Sequence, residues 1–96
     1  MRTFPLVISS PDGDLFRGDA AMLVLRTPNG EMAVMAGHIP LIATVIPCNC
    51  RIKLEDGTVK SGHTDGGLLT VAKDSVTLLS GSFDFTEEEK TADAAE

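Results

Sequence analysis

The sequence predicts an all-β domain, an antiparallel β-sandwich or flattened barrel of about 8–10 short strands. Three observations carry this. Turn signals recur at strand-sized intervals: Pro11-Asp12-Gly13, Pro28-Asn29-Gly30, Gly37-His38, Asp56-Gly57, Gly66-Gly67, Lys73-Asp74 and Gly81. The stretches between them either alternate apolar with polar or form apolar runs of strand length. No window of residues 1–85 sustains the i, i+3, i+4 spacing of an amphipathic helix, and Pro5, Pro11, Pro28, Pro40 and Pro47 punctuate it.

In chain order, Phe4, Leu6 and Ile8 alternate with Thr3, Pro5, Val7 and Ser9 and open the first strand. Pro5 cannot donate to a ladder, so it belongs at an edge or a bulge. Met22 to Leu25 is a continuous apolar run, and Met32, Val34 and Ala36 share one face after the Asn-Gly turn. Leu41 to Ile46 is mostly apolar, Ile52 and Leu54 alternate with Arg51 and Lys53, and Leu68–Val71 and Val76–Leu79 follow. Gly66-Gly67 precedes a strand, not a helix, so it reads as a bulge or a close backbone approach and not as a phosphate loop. Thr86-Glu87-Glu88-Glu89 has the form of a capping box, a helix start, but only alanines follow to be buried. The expected division is therefore a sandwich domain over 1–85 and an acidic, frayed or disordered tail over 86–96.

Composition narrows the classes. With 96 residues the chain is one domain, large enough for one core that leaves little for an enclosed active-site cavity. Hydrophobic residues make up 43%, yet Trp and Tyr are absent and Phe occurs four times, so the core is aliphatic. No apolar run has membrane-spanning length and the N-terminus lacks a signal peptide pattern, so the expectation is a soluble intracellular protein. Cys48 and Cys50, two residues apart, face the same side of a strand and read as reduced thiols. The net charge is −6, of which residues 86–96 hold −4, leaving −2 on residues 1–85. Without a basic stripe, nucleic-acid binding is disfavoured.

Chemistry has few candidates. His38 and His63 each follow a glycine, and neither has a second His at i+2 or i+4, so the clustered spacing of a metal site is missing. Nothing around Cys48 or Cys50 suggests an activated nucleophile. Glu31 reads as a solvated turn residue and His38 as a turn histidine bonded to its own backbone. The aliphatic content exceeds what so small a domain hides, and exposed apolar patches mark partner surfaces. The residues alone thus point to a small β interaction module. A small metal-dependent β-barrel enzyme using His38, His63 and Glu31 is the alternative.

A resemblance adds to this. The run Thr-Pro-Asn-Gly-Glu-Met-Ala-Val-Met-Ala-Gly-His-Ile-Pro-Leu at 27–41 resembles the signature of the epsilon subunit of F-type ATP synthase (the mitochondrial delta counterpart). The family form is Thr-Pro-x-Gly-Glu-Ile-Gly-Val-Leu-Pro-Gly-His-x-Pro-Leu. Phe-Pro-Leu-Val-Ile-Ser-Ser-Pro-Asp-Gly near the N-terminus, Asp65-Gly66-Gly67-Leu68-Leu69-Thr70-Val71 and Val76-Thr77-Leu78-Leu79-Ser80 are similar to further family segments in order and spacing, over roughly residues 3–85. The chain departs from the pattern at Ala33, Ala36 and Asp65, and at Cys48-Asn49-Cys50, where a Pro-Gly turn is common.

The resemblance implies a non-catalytic central-stalk (rotor) subunit without a cofactor, at the cytoplasmic face of the bacterial plasma membrane as a peripheral protein. It would link the gamma subunit to the membrane rotor ring in proton- or sodium-driven ATP synthesis. Carried over by position, Gly30, Glu31 and Met32 face the rotor ring, and Ser10, His38, Ile39, Pro40, Ile42 and Ala43 face gamma. The surface meant for gamma leaves self-association of the isolated chain open. Many family members continue into a helical hairpin that binds ATP in some; the expectation here is no such hairpin and no nucleotide site.

Overall fold

A computed structural model describes residues 2–89, and the side chains of residues 2–86. Among the described residues nine strands follow one another: β1 (Phe4–Ser10), β2 (Gly13–Thr27), β3 (Gly30–Met35), β4 (Leu41–Val45), β5 (Cys48–Leu54), β6 (Val59–Thr64), β7 (Gly67–Val71), β8 (Val76–Ser80) and β9 (Phe83–Glu89). The fold is all-β, as the turn spacing predicts, and no helix occurs among the described residues.

Hydrogen bonding runs in the order β4-β7-β8-β1-β2-β5-β6-β9, with β3 added to β2. The long β2 joins two layers. Its first half pairs with β1, from Gly13 to Ala20. Its second half pairs with β5 on one edge and with β3 on the other, through Thr27 opposite Gly30. A bulge between Ala20 and Met22 lies where the two halves meet, and bulges bend the strand that carries them. One layer is thus β4-β7-β8-β1 with the start of β2; the other is β3, the end of β2, β5, β6 and β9.

Alternation sends one side chain in two to the core. Leu6, Ile8, Leu23, Leu25, Val34, Cys50, Ile52, Leu69 and Leu78 are fully buried and form one cluster from both layers. Cys48 and Cys50 are buried free thiols on the same face of β5. Burial, then the neighbouring Cys48 and its hydrogen bond, push the Cys50 thiol up to about 12 from an ordinary 9.0. A polar pair buried between β6 and β8 is satisfied: Thr64 and Ser80 hydroxyls lie 2.6 Å apart, Ser80 donates to Ser82 O at 2.6 Å, and Thr64 Oγ1 accepts the Gly66 N–H at 3.0 Å.

The glycine pair behaves as read. Gly66 takes φ +109, and a Cβ on Gly67 would lie 1.9 Å from the carbonyl oxygen of Leu79, so β7 and β8 approach where only glycine fits. Pro5 also finds its place, because pairing of β1 with β8 begins only at Leu6.

Three details differ from the sequence pattern within that fold class. The sheet is not wholly antiparallel: β1 and β8 run parallel, Leu6 beside Val76 through Ser9 beside Leu79. The strands are not all short, since β2 has 15 residues. Thr86–Glu89 does not start a helix; it continues β9, antiparallel to Val59–Ser61 of β6. The physical reason lies upstream. Phe83 is buried, its ring sits against Gly62, and Phe83 and Phe85 pack edge to face with centroids 4.9 Å apart. Phe85 also meets Phe16 of β2 at 6.4 Å. That anchoring commits the chain to an extended course against β6, and the capping-box pattern is overridden. Residues 90–96 of the expected tail lie outside the described residues.

Candidate partner-binding surfaces

Gly30, Glu31 and Met32 stand at the turn joining β2 to β3. Thr27 organises that turn: its Oγ1 accepts the Asn29 N–H and donates to Gly30 O, both at 3.2 Å. Gly30 takes φ +122, which admits the tight reversal at no steric cost. Glu31 and Met32 then point to opposite faces. Glu31 is exposed directly across from Arg26, and Met32 is half-buried against the core.

His38, Ile39 and Pro40 form the connection from β3 to β4. The His38 N–H donates to Met35 O at 3.1 Å, and its Nδ1 lies 2.8 Å from Ile39 O. A carbonyl only accepts, so the neutral ring carries its proton on Nδ1 and leaves Nε2 as an acceptor. Ile39 is 76% exposed and Ile42 68%, unusual values for isoleucine. Ser10 caps the turn from β1 to β2, accepting the Asp12 N–H at 3.2 Å and donating to Gly13 O at 3.3 Å.

The registers relate these positions. Thr44 of β4 is level with Leu68 of β7, Leu79 of β8 and Ser9 of β1. Leu41 is level with Val71, Val76 and Leu6. Ser10 therefore stands three strands from β4 and at the end of the sheet away from His38–Pro40; the structure does not gather those residues into one spot. It does bring together residues assigned to different sides. Met32 shares with Ile42 and Ala43 a groove of about 440 Å³, completed by Thr27–Asn29, Leu41 and Thr44.

Between the two corners lies a surface that the sequence reading missed. Val7, Ile42, Thr44, Leu68, Thr70, Thr77 and Leu79 lie on the outer face of β4-β7-β8-β1 and none is charged. Leu68 and Leu79 are 41% and 50% exposed. The signal was present in Leu68-Leu69 and Leu78-Leu79: on a strand, adjacent leucines cannot both face the core. Leu79 also borders a hollow of about 390 Å³ that includes Ser10.

The metal-enzyme alternative fails on geometry. Glu31 on β3 and His63 on β6 are separated by β2 and β5, about 14 Å at 4.8 Å per strand step. His38 lies beyond the far end of β3 from Glu31. Zinc bonds of about 2 Å to N and O ligands cannot span such gaps. His63 instead places Nδ1 2.9 Å from Oδ1 of its cross-strand neighbour Asn49. Among the described residues, no three His, Cys, Asp or Glu side chains are grouped to hold a metal ion.

Residues 3–85 match the family described as the ATP synthase delta/epsilon chain, β-sandwich domain. The chain belongs to this family. Among curated proteins, the delta/epsilon domain is similar to the ATP synthase epsilon chain of Ruminococcus albus, 32% identical over 89 residues, covering 92% of this chain and 66% of that one. It is also similar to the epsilon chain of Bacillus thuringiensis, 37% identical over 87 residues, covering 85% and 61%. The chain thus spans 61–66% of the length of these relatives. Two solved structures share the fold. One is a chain of the Euglena gracilis mitochondrial ATP synthase, OSCP/F1/c-ring, with TM-score 0.82, 22% identity and coverage of 86% and 53%. The other is a chain of the Tetrahymena thermophila mitochondrial ATP synthase central stalk/c-ring, with TM-score 0.71, 11% identity and coverage of 85% and 66%. No helix among the described residues is long and apolar enough to cross a membrane.

Proposed function

We propose that this delta/epsilon domain is the sandwich part of a non-catalytic rotor subunit in the central stalk of an F-type ATP synthase. It links gamma to the membrane rotor ring and so contributes to proton- or sodium-driven ATP synthesis. Its place is peripheral, at the cytoplasmic face of the bacterial plasma membrane. Support comes from family membership, from the curated relatives named epsilon chain, and from fold neighbours that belong to assemblies described as central stalk and c-ring.

The observation that carries the reading is the division of the surface. The polar hairpin bearing Glu31 and Arg26 suits the charged and polar loops of a ring, where a rim ion pair sets register more than affinity. The uncharged sheet face, with Ile42, Leu68 and Leu79 exposed, suits a drier and more permanent contact with gamma. His38 contributes an imidazole whose Nε2 is available to a partner.

Co-purification with gamma and with detergent-solubilised ring tests this. Leu79→Asp is expected to abolish retention of gamma, whereas Glu31→Ala lowers retention of ring and makes what remains less sensitive to salt. Glu31→Ala should change stability by less than about 0.5 kcal/mol, because its side chain is exposed, and His38→Ala by no more than about 1 kcal/mol, the worth of its bond to Ile39 O. Failure of the wild-type chain to retain either partner overturns the proposal.

A further inference from the structure

β3 and β4 are consecutive in the chain yet do not pair. Among the described strands, β3 is hydrogen-bonded only to β2 and β4 only to β7. The free edge of β4 borders the groove lined by Thr27–Asn29, Met32 and Leu41–Thr44. The Ile46 N–H, donating to Arg26 O at 3.1 Å, closes one end of this seam, and the Met35–His38 turn closes the other.

The edge of β4 is unprotected. Edge strands are usually blunted by a charge, a proline or a bulge. Leu41-Ile42-Ala43-Thr44-Val45 has none of these, and its register with β7 is unbroken over all five residues. Leu41 and Ala43 point inward but are only half-buried, because the seam leaves them open; Ile42 points outward and is exposed. All eight residues lining the groove are uncharged, so a charged or strongly polar loop would lose hydration there without a partner.

We propose that this seam receives an extended, uncharged segment of the gamma chain as an added strand alongside β4. The inference rests on the reading above, in which Ile42 and Ala43 face gamma. Main-chain hydrogen bonds to the free edge supply affinity; alternate side chains enter the groove against Met32, Leu41 and Ala43, and the others lie beside Ile42. Five residues of such a segment span about 17 Å.

Amide hydrogen exchange on the isotopically labelled 96-residue chain, with and without the gamma chain of the same organism, tests this. Alternate amides within Leu41–Val45 are expected to slow by at least about tenfold on addition of gamma. Ile42→Lys is expected to weaken gamma binding about tenfold with an unchanged thermal midpoint. If gamma binds while the amides of 41–45 exchange as in the free chain, strand addition is overturned and the gamma contact stands. If the same protection arises at high concentration of the chain alone and gamma adds nothing, a second copy occupies the seam and the proposal is equally overturned. If gamma does not bind at all, the functional reading itself falls.

Discussion

Asp14, Cys50, Thr64 and Gly67 show how single side chains set the behaviour of this domain. A Cβ on Gly67 would meet the Leu79 carbonyl, so Gly67→Ala forces β7 and β8 apart, with an expected loss of about 3 kcal/mol in urea unfolding. Thr64→Val leaves the Gly66 N–H without its acceptor and strips the Ser80 hydroxyl of one of its two partners, Ser82 O remaining, and should cost about 1–3 kcal/mol. Asp14 accepts from Ser9 at 2.6 Å and from Arg17, which together hold its carboxyl below the ordinary 3.8. That contribution is present above pH 3.8 and fades as pH falls through the depressed value, so Asp14→Asn should flatten part of the acid limb of a pH–stability curve. Cys50 has the opposite sign. Its thiol is raised from 9.0 to about 12, so stability from keeping it neutral is complete below pH 9 and declines from there towards pH 12. Much of this scale was legible: the turn glycines and the buried alternation at Phe4, Leu6 and Ile8 follow from residue type and period. The exposure of Leu79 was not, because which of two adjacent leucines faces outward depends on register.

Strands β2 and β9 mark what local pattern conveys and what it does not. The segments 22–25 and 76–79 announce themselves by continuous apolar character. β6, Val59–Thr64, carries no such signal, since its inward positions are Gly62 and Thr64. Its identity comes from pairing with β5 and β9. β9 was masked for a different reason: Thr86-Glu87-Glu88-Glu89 satisfies a local helix rule, while the phenylalanines just before it satisfy a tertiary one. The tertiary contacts prevail because they bury aromatic area, which a short isolated helix start cannot match. Phe83→Ala tests the anchor. Its ring rests on Gly62 in a 6% exposed site, and truncation should cost about 3–5 kcal/mol and release β9 from β6, seen as faster exchange of the amides of 83–86.

For the molecule as a whole, one cluster of buried side chains drawn from both layers predicts one cooperative transition. Circular dichroism and the accessibility of Cys48 and Cys50 to a thiol reagent should change together in urea, with both thiols silent before the transition. An earlier thiol signal would mean that the β5 region opens separately. The fold class and the family motif were readable in the chain. The non-pairing of β3 with β4 was not, since sequential neighbours usually pair and nothing in Thr27–Val45 says otherwise. The continuity of β2 across both layers has a mechanical corollary. When one end of the domain is gripped and the other is turned, the load path runs along covalent backbone and its flanking ladders instead of across a slip plane of interdigitated side chains. The domain would then return torsion elastically, as a spring does, and lose little of it to internal creep.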